Sequence, residues 1–131
     1  MILADTSLWI DHIHSSDRQF SALLDVALVV THPTVIGELA IGSIRERDKV
    51  LTQLSRLRQV RIATDAEVLV MVAKNRLHGR GLNYPDAQLL AACLITPQSV
   101  LWTRDKTLSQ VANELGIGWS PDRDQPAPRS S

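Results

Sequence analysis

Two kinds of run alternate along this chain: short blocks of consecutive aliphatic residues, and longer stretches in which apolar residues recur every three or four positions. The blocks predict strands at residues 2–5, 27–31, 60–63 and 99–103, with a short edge strand at 117–119. The recurrent stretches predict helices between them. Thr6 and Ser7 start a short amphipathic turn or two with Leu8, Trp9 and Ile13 inward. Ser15, Ser16 and Asp17 break it and cap a second helix carrying Phe20, Leu23 and Leu24. Further helices follow from Pro33 to Ser43, from Arg47 to Leu57, and from Thr64 to Gly79 or Gly81. Pro85 and Asp86 open the next, ending near Thr96; the last starts at Asp105 and stops at Gly116. Short apolar strands separated by helices imply crossovers and a parallel sheet with helices on both faces. Ligands in such sheets bind outside the carboxyl ends of the strands.

Four acids fall where this arrangement would bring chain segments together. Asp5 ends the opening apolar run, and Asp105 follows the last main strand by two residues. Asp86 begins the run Ala87-Gln88-Leu89-Leu90-Ala91-Ala92, and Glu38 interrupts the uncharged stretch from Val35 to Ile41. Asp5, Asp86 and Asp105 each have an ordinary explanation as helix caps, worth ~1 kcal/mol. Asp5 is the weakest case, since Thr6 or Ser7 can cap the same helix. Glu38 has no such explanation. Val35, Leu39 and Gly42 lie beside it on the helix, no Lys or Arg stands within four residues, and a Glu on a packed face is costly unless partnered. Gly37 and Gly42 would let another backbone or a substrate approach. Converging carboxylates repel and need protons or cations. A hard-oxygen set suits Mg²⁺ or Mn²⁺, and that chemistry points to phosphodiester hydrolysis.

Composition narrows the setting. A chain of 131 residues with 44% hydrophobic content makes one globular domain, residues 1–119, and leaves a proline-rich tail, residues 120–131, expected to be disordered. No apolar run approaches the ~20 residues that cross a bilayer, and no signal peptide is expected at the start. A single cysteine, Cys93, in an apolar run, reads as packing. The cytoplasm is the expected compartment. Net charge is zero, so any nucleic-acid contact is small or rests on local basic groups. Arg45, Arg47 and Lys49 form one group, Arg56, Arg58 and Arg61 a second, and Lys74, Arg76, His78 and Arg80 a third. The four histidines show no zinc spacing, and no Gly-rich phosphate loop is present. Trp9, Trp102, Trp119 and Met71 read as core.

The run Asp5-Thr6-Ser7-Leu8-Trp9-Ile10-Asp11, the central Gly37-Glu38-Leu39, the stretch from Gly81 to Ala92 and Leu101-Trp102-Thr103-Arg104-Asp105-Lys106 together resemble the PIN-domain ribonucleases, and within them the VapC-type toxins. The resemblance spans Met1 to about Trp119. It implies a three-layer α/β sandwich with a short parallel sheet and an acidic pocket for one or two Mg²⁺ or Mn²⁺ ions. The family's acids map onto Asp5, Glu38, Asp86 and Asp105, and Ser7 and Thr103 match polar positions beside them. It further implies an RNA substrate, a homodimer and a cognate VapB-like antitoxin. On this reading Asp5 and Asp86 are the principal metal ligands, and Arg104 and Lys106 reach flanking phosphates. A receiver domain with Asp65 as phosphoacceptor, and a binding module whose acids receive a partner's Arg, are the alternatives. A haloacid-dehalogenase-type phosphatase would want a second Asp where Ser7 stands.

Overall fold

The computed structural model describes residues 1–121. Its sheet has three parallel strands in the order β2-β1-β3: β1 (Ile2–Ala4), β2 (Val29–Val30) and β3 (Val100–Trp102). β1 is central, with Ile2 opposite Val29 on one side and Val100 on the other. All three of its side chains are buried, as a strand covered on both faces requires. The expected α/β class holds.

Seven helices surround the strands: α1 (Thr6–Ser15), α2 (Arg18–Asp25), α3 (Pro33–Ile41), α4 (Arg47–Ser55), α5 (Asp65–Lys74), α6 (Tyr84–Ile95) and α7 (Lys106–Glu114). Most begin at a polar residue that accepts from an amide in the first turn. Asp17 accepts from Phe20 N at 2.9 Å and starts α2. The buried His32 accepts from Thr34 N at 2.9 Å and starts α3, with Pro33 at the first helical position. Thr64 and Glu67 form a capping box on α5. α1 is longer than the turn or two expected, and α5 stops at Lys74, short of the glycines, with Asn75 as its C-cap.

The core is continuous around the sheet. Trp9 packs edge-on against Phe20 with centroids 4.9 Å apart, Phe20 lies 5.8 Å from Trp102, and Trp102 lies 5.1 Å from Trp119. Trp9, Trp102, Met71 and Cys93 are buried, as expected, whereas Trp119 is half-buried.

Two expected strands are reduced. Beyond β2, the 60–63 segment contributes one parallel bridge, Thr31 to Gln59. Val60 N still reaches Thr31 O, but the chain after β2 turns at His32 into α3, and Pro33, next in register, has no N–H to offer, while Ile62 turns out to solvent. The ladder therefore ends after one rung. Beyond β3, the 117–119 segment pairs at a single bridge, Leu101 to Gly118. A Cβ at Gly118 would sit 1.9 Å from Asn113 Oδ1, so any other residue there would displace that side chain. Among the described residues no helix is long and apolar enough to cross a membrane. The expectation of a disordered tail falls almost wholly on residues 122–131, outside the described residues.

Candidate active site

Asp5 is the first residue after the central strand, and its amide donates to Trp102 O at 3.1 Å, tying it to the end of β3. Its side chain caps α1 by accepting from Leu8 N at 3.3 Å. This corrects the expectation that Thr6 or Ser7 would cap that helix. Thr6 and Ser7 are the first two helical residues and serve the carboxylates instead. Ser7 Oγ donates to Asp5 Oδ1 at 2.5 Å, and Thr103 Oγ1 donates to Asp5 Oδ2. Ser7 Oγ also accepts from Arg104 N at 3.0 Å, so the hydroxyl bridges the turns after β1 and β3. Asp5 is only 7% exposed, and among the described residues no basic side chain pairs with it. Burial pushes its carboxyl above the ordinary range, against the pull of the Ser7 and Thr103 hydroxyls and the Leu8 and Ser7 amides.

Asp105 caps α7 in the same manner, accepting from Leu108 N at 2.9 Å, and its own amide donates to Thr103 Oγ1 at 3.0 Å. Asp86 does not open its helix. Asn83 is the N-cap of α6, accepting from Asp86 N at 2.9 Å, and Asp86 Oδ2 accepts in return from Asn83 N at 3.2 Å. This capping box leaves Asp86, a half-buried residue, with Oδ1 free of protein donors among the described residues. Burial raises the Asp86 carboxyl, the Asn83 amide opposes this, and the charges of Asp105, Asp5 and Glu38 raise it further. The four acids, drawn from four segments, therefore lie near enough for the charges of the other three to bear on Asp86.

Glu38 reaches that site, but not from a packed face. Its neighbours Val35 and Leu39 are buried, whereas Glu38 is exposed, with Oε1 accepting from Thr6 Oγ1 at 2.8 Å. The reason is angular: Val35 and Leu39 fill the inner arc of α3, and Glu38 stands at its edge, over the start of α1. A Cβ on Gly37 would meet nothing within 4 Å, so that glycine admits no neighbouring backbone. Thr34 Oγ1 to Gln88 Oε1, at 2.9 Å, pins α3 to α6, the helices that carry Glu38 and Asp86. Sequence reasoning missed Thr6, Asn83 and this Thr34–Gln88 tie. Only Thr6 and Asn83 had a local signal, a hydroxyl beside Asp5 and an Asn three residues before Asp86.

None of the four acids joins an ion pair among the described residues. As the side chains stand, no three of them close into a ready ligand cage. Among the described residues, Asp86 and Asp105 each have one oxygen held by a cap and one without a protein donor. Arg104, one of the two expected phosphate contacts, is committed elsewhere. Its guanidinium pairs with Asp11 at 3.1 Å and Asp17 at 3.0 Å, and its centre lies 5.5 Å over the Trp102 ring. Lys106, on the first turn of α7, is exposed. The receiver-domain alternative loses its footing: Asp65 lies in the first turn of α5, past a segment that is not a strand, and accepts from Tyr84 Oη.

The PIN domain family matches residues 2–114. Ribonuclease VapC32 of Mycobacterium tuberculosis, in strain CDC 1551 and in strain H37Rv, is 45% identical over 117 residues, which cover 89% of this chain and 94% of the relative. The central-strand acid, its convergent partners and these two matches agree, and the chain belongs to the PIN-domain family, within its VapC-type ribonucleases.

Proposed function

We propose that this chain hydrolyses RNA phosphodiester bonds with the aid of a divalent cation, Mg²⁺ or Mn²⁺, held by Asp5, Glu38, Asp86 and Asp105. One observation carries the reading: four carboxylates share a field, one of them buried, with no Lys or Arg paired to any of them. Such a group is stable only with protons or a cation. An all-oxygen donor set fits a hard cation rather than zinc or copper. When bound, such a cation supplies charge neutralisation at the phosphate and an acidified water.

The chain's own residues divide the remaining work. Asp5 and Asp86 are the principal ligands, with Glu38 and Asp105 completing the set directly or through water. Ser7 and Thr103 hold the Asp5 carboxylate in one orientation and favour its ionised form. Thr6 likewise orients the Glu38 carboxylate. Lys106 is placed to meet a flanking phosphate, and Arg104 acts by fixing the turn after β3. The same reading includes a VapB-like antitoxin as silencing partner, a homodimer as the assembly and the cytoplasm as the setting, all supported by kinship to the VapC type.

The test is cleavage of total cellular RNA by the purified chain, free of antitoxin, with Mg²⁺, with Mn²⁺ and with EDTA. Discrete products that require the metal are expected. Equal cleavage in EDTA would sink the assignment of the acids.

A further inference from the structure

Three Trp, one Phe and one Tyr make up the large aromatic set of this chain. Trp9, Phe20 and Trp102 are buried, and Trp119 is half-buried with its ring 5.1 Å from that of Trp102. Tyr84 is the exception, 41% exposed at the first residue of α6. A lone exposed ring is ordinary in itself, and its placement is what gives this one a use. Asn83, just before it, caps α6 and gives its amide to Asp86 Oδ2 at 3.2 Å. Asp86 follows two residues later, a Cα–Cα step of ~5.4 Å in helical geometry. The loop before Tyr84 lies against the first turn of α7, where a Cβ on Gly81 would meet Thr107 Cγ2 at 3.8 Å. Tyr84 therefore stands on the α6 rim of the acidic site and Lys106 on its α7 rim.

The ring is also fixed. Its hydroxyl donates to Asp65 in the first turn of α5, an acid that is not part of the Thr64–Glu67 capping box. Pro85 restricts the Tyr84 backbone. The bond to Asp65 pushes the phenol above its ordinary range, so it keeps its proton. With the hydroxyl committed, the π-face is what remains to offer a ligand. The Asp65 charge beside it is unfavourable to a phosphate, so the ring suits a base rather than a nucleic-acid backbone.

We infer that Tyr84 is the stacking platform for one unpaired RNA base adjoining the scissile phosphate, an inference that rests on the ribonuclease reading above. The strand runs from a base on Tyr84, through the phosphate at the four acids, to a flanking phosphate at Lys106. Stacking accepts any base, since every base has a π-face, and favours purines through greater overlap. A base held in a duplex keeps its faces covered by its neighbours, so the platform selects single-stranded or looped RNA. A net charge of zero fits this economy of contact, because a stacked base adds affinity without a broad basic surface.

The test has a binding arm and a cleavage arm, both on the full chain. For binding, fluorescence anisotropy follows a short fluorescein-labelled purine-rich RNA, single-stranded or in duplex, added to Asp5→Asn protein with Mg²⁺. Adding Tyr84→Ala should weaken single-strand binding about tenfold, the scale of one lost base stack, and leave duplex binding nearly as it was. Tyr84→Phe and Tyr84→Trp keep a ring and should restore most of the affinity. For cleavage, Tyr84→Ala alone should raise KM about tenfold, with a much smaller change in kcat. Unchanged Kd and KM in Tyr84→Ala would overturn the inference. So would Tyr84→Phe as weak as Tyr84→Ala, which would reduce the residue to a hydroxyl tie between α5 and α6. Should Tyr84→Ala fail to fold, Tyr84→Leu, bulky but without a π-face, supplies the same contrast. An unaltered chain that binds RNA without cutting it would break the nuclease reading alone, since the Tyr84 contrast in binding decides the platform by itself.

Discussion

Two acidic clusters lie side by side at the carboxyl end of this sheet, and they differ in one residue type. Asp11 and Asp17 enclose the Arg104 guanidinium at 3.1 and 3.0 Å, so their charge is locally balanced. Asp5, Glu38, Asp86 and Asp105 pair with no basic side chain among the described residues. Both clusters use aspartates as helix caps: Asp17 accepts from Phe20 N at 2.9 Å, Asp105 from Leu108 N at 2.9 Å. Capping therefore does not separate a structural acid from a working one. The distinction is the surplus charge left once caps and partners are counted. A cap uses one carboxylate oxygen, and the other remains available for chemistry.

The comparison breaks most sharply at Asp5. Asp5→Asn keeps a side-chain acceptor for Leu8 N and removes a buried charge, so RNA cleavage should fall at least ~100-fold. Stability should hold or rise by about 1 kcal/mol, the usual exchange when an active-site charge is relieved. Single-turnover cleavage and thermal unfolding of the same preparation check both. A large loss of stability would make Asp5 a structural acid after all.

Ser7→Ala and Thr103→Val come next. Each removes one donor to Asp5, and activity should fall by roughly 10–100-fold. The acid limb of the pH–rate profile should also move to higher pH, because both hydroxyls lower the Asp5 pKa. An unmoved limb would assign these hydroxyls to packing.

A third test uses pH on the unaltered chain. The Asp5 and Asp86 carboxyls are raised in the folded state, so the folded protein binds more protons than the unfolded chain between the two sets of pKa values. Their contribution favours the folded state below the unfolded value and is lost as pH rises through the folded values. Cleavage needs the ionised forms and should rise over that same interval. Denaturant unfolding of wild type against Asp5→Asn isolates this part of the pH dependence; an identical dependence in both would refute it.

The smallest effect is expected at the balanced cluster. Arg104→Met should cost about 1 kcal/mol or less, since both ion pairs are partly solvated. Cleavage should change by no more than a few-fold. A loss of cleavage comparable to that of Asp5→Asn would return Arg104 to the phosphate-binding role.

What could be read from the chain follows the range of the forces involved. β1 and β3 were legible as apolar blocks because both are buried among helices. The 60–63 strand was overread, because Pro33, which opens α3 two residues past the single bridge at Thr31, offers it no amide for a second rung. The four acids were legible as a group, but the reason given for Glu38 fails: it stands at an exposed edge of α3. Asp86 was misread as the start of α6, since the box that Asn83 makes with it looks in sequence like a simple Asp start. The balanced and unbalanced clusters were inseparable. Arg104 is 93 residues from Asp11 and 87 from Asp17, and no local pattern ties a cation to acids so distant.

The Thr103–Asp5 hydrogen bond spans 98 residues, nearly from the first strand to the last helix. During synthesis the central strand emerges first and must wait for its second neighbour until β3, some 98 residues later, has left the ribosome. Thr103 and Asp105 arrive at that same late moment. A nascent or prematurely terminated chain thus carries Asp5, Glu38 and Asp86 without the residues that orient and complete them. The order of the strands makes completion of the acidic pocket depend on a contact of high sequence separation, the kind that forms late in folding.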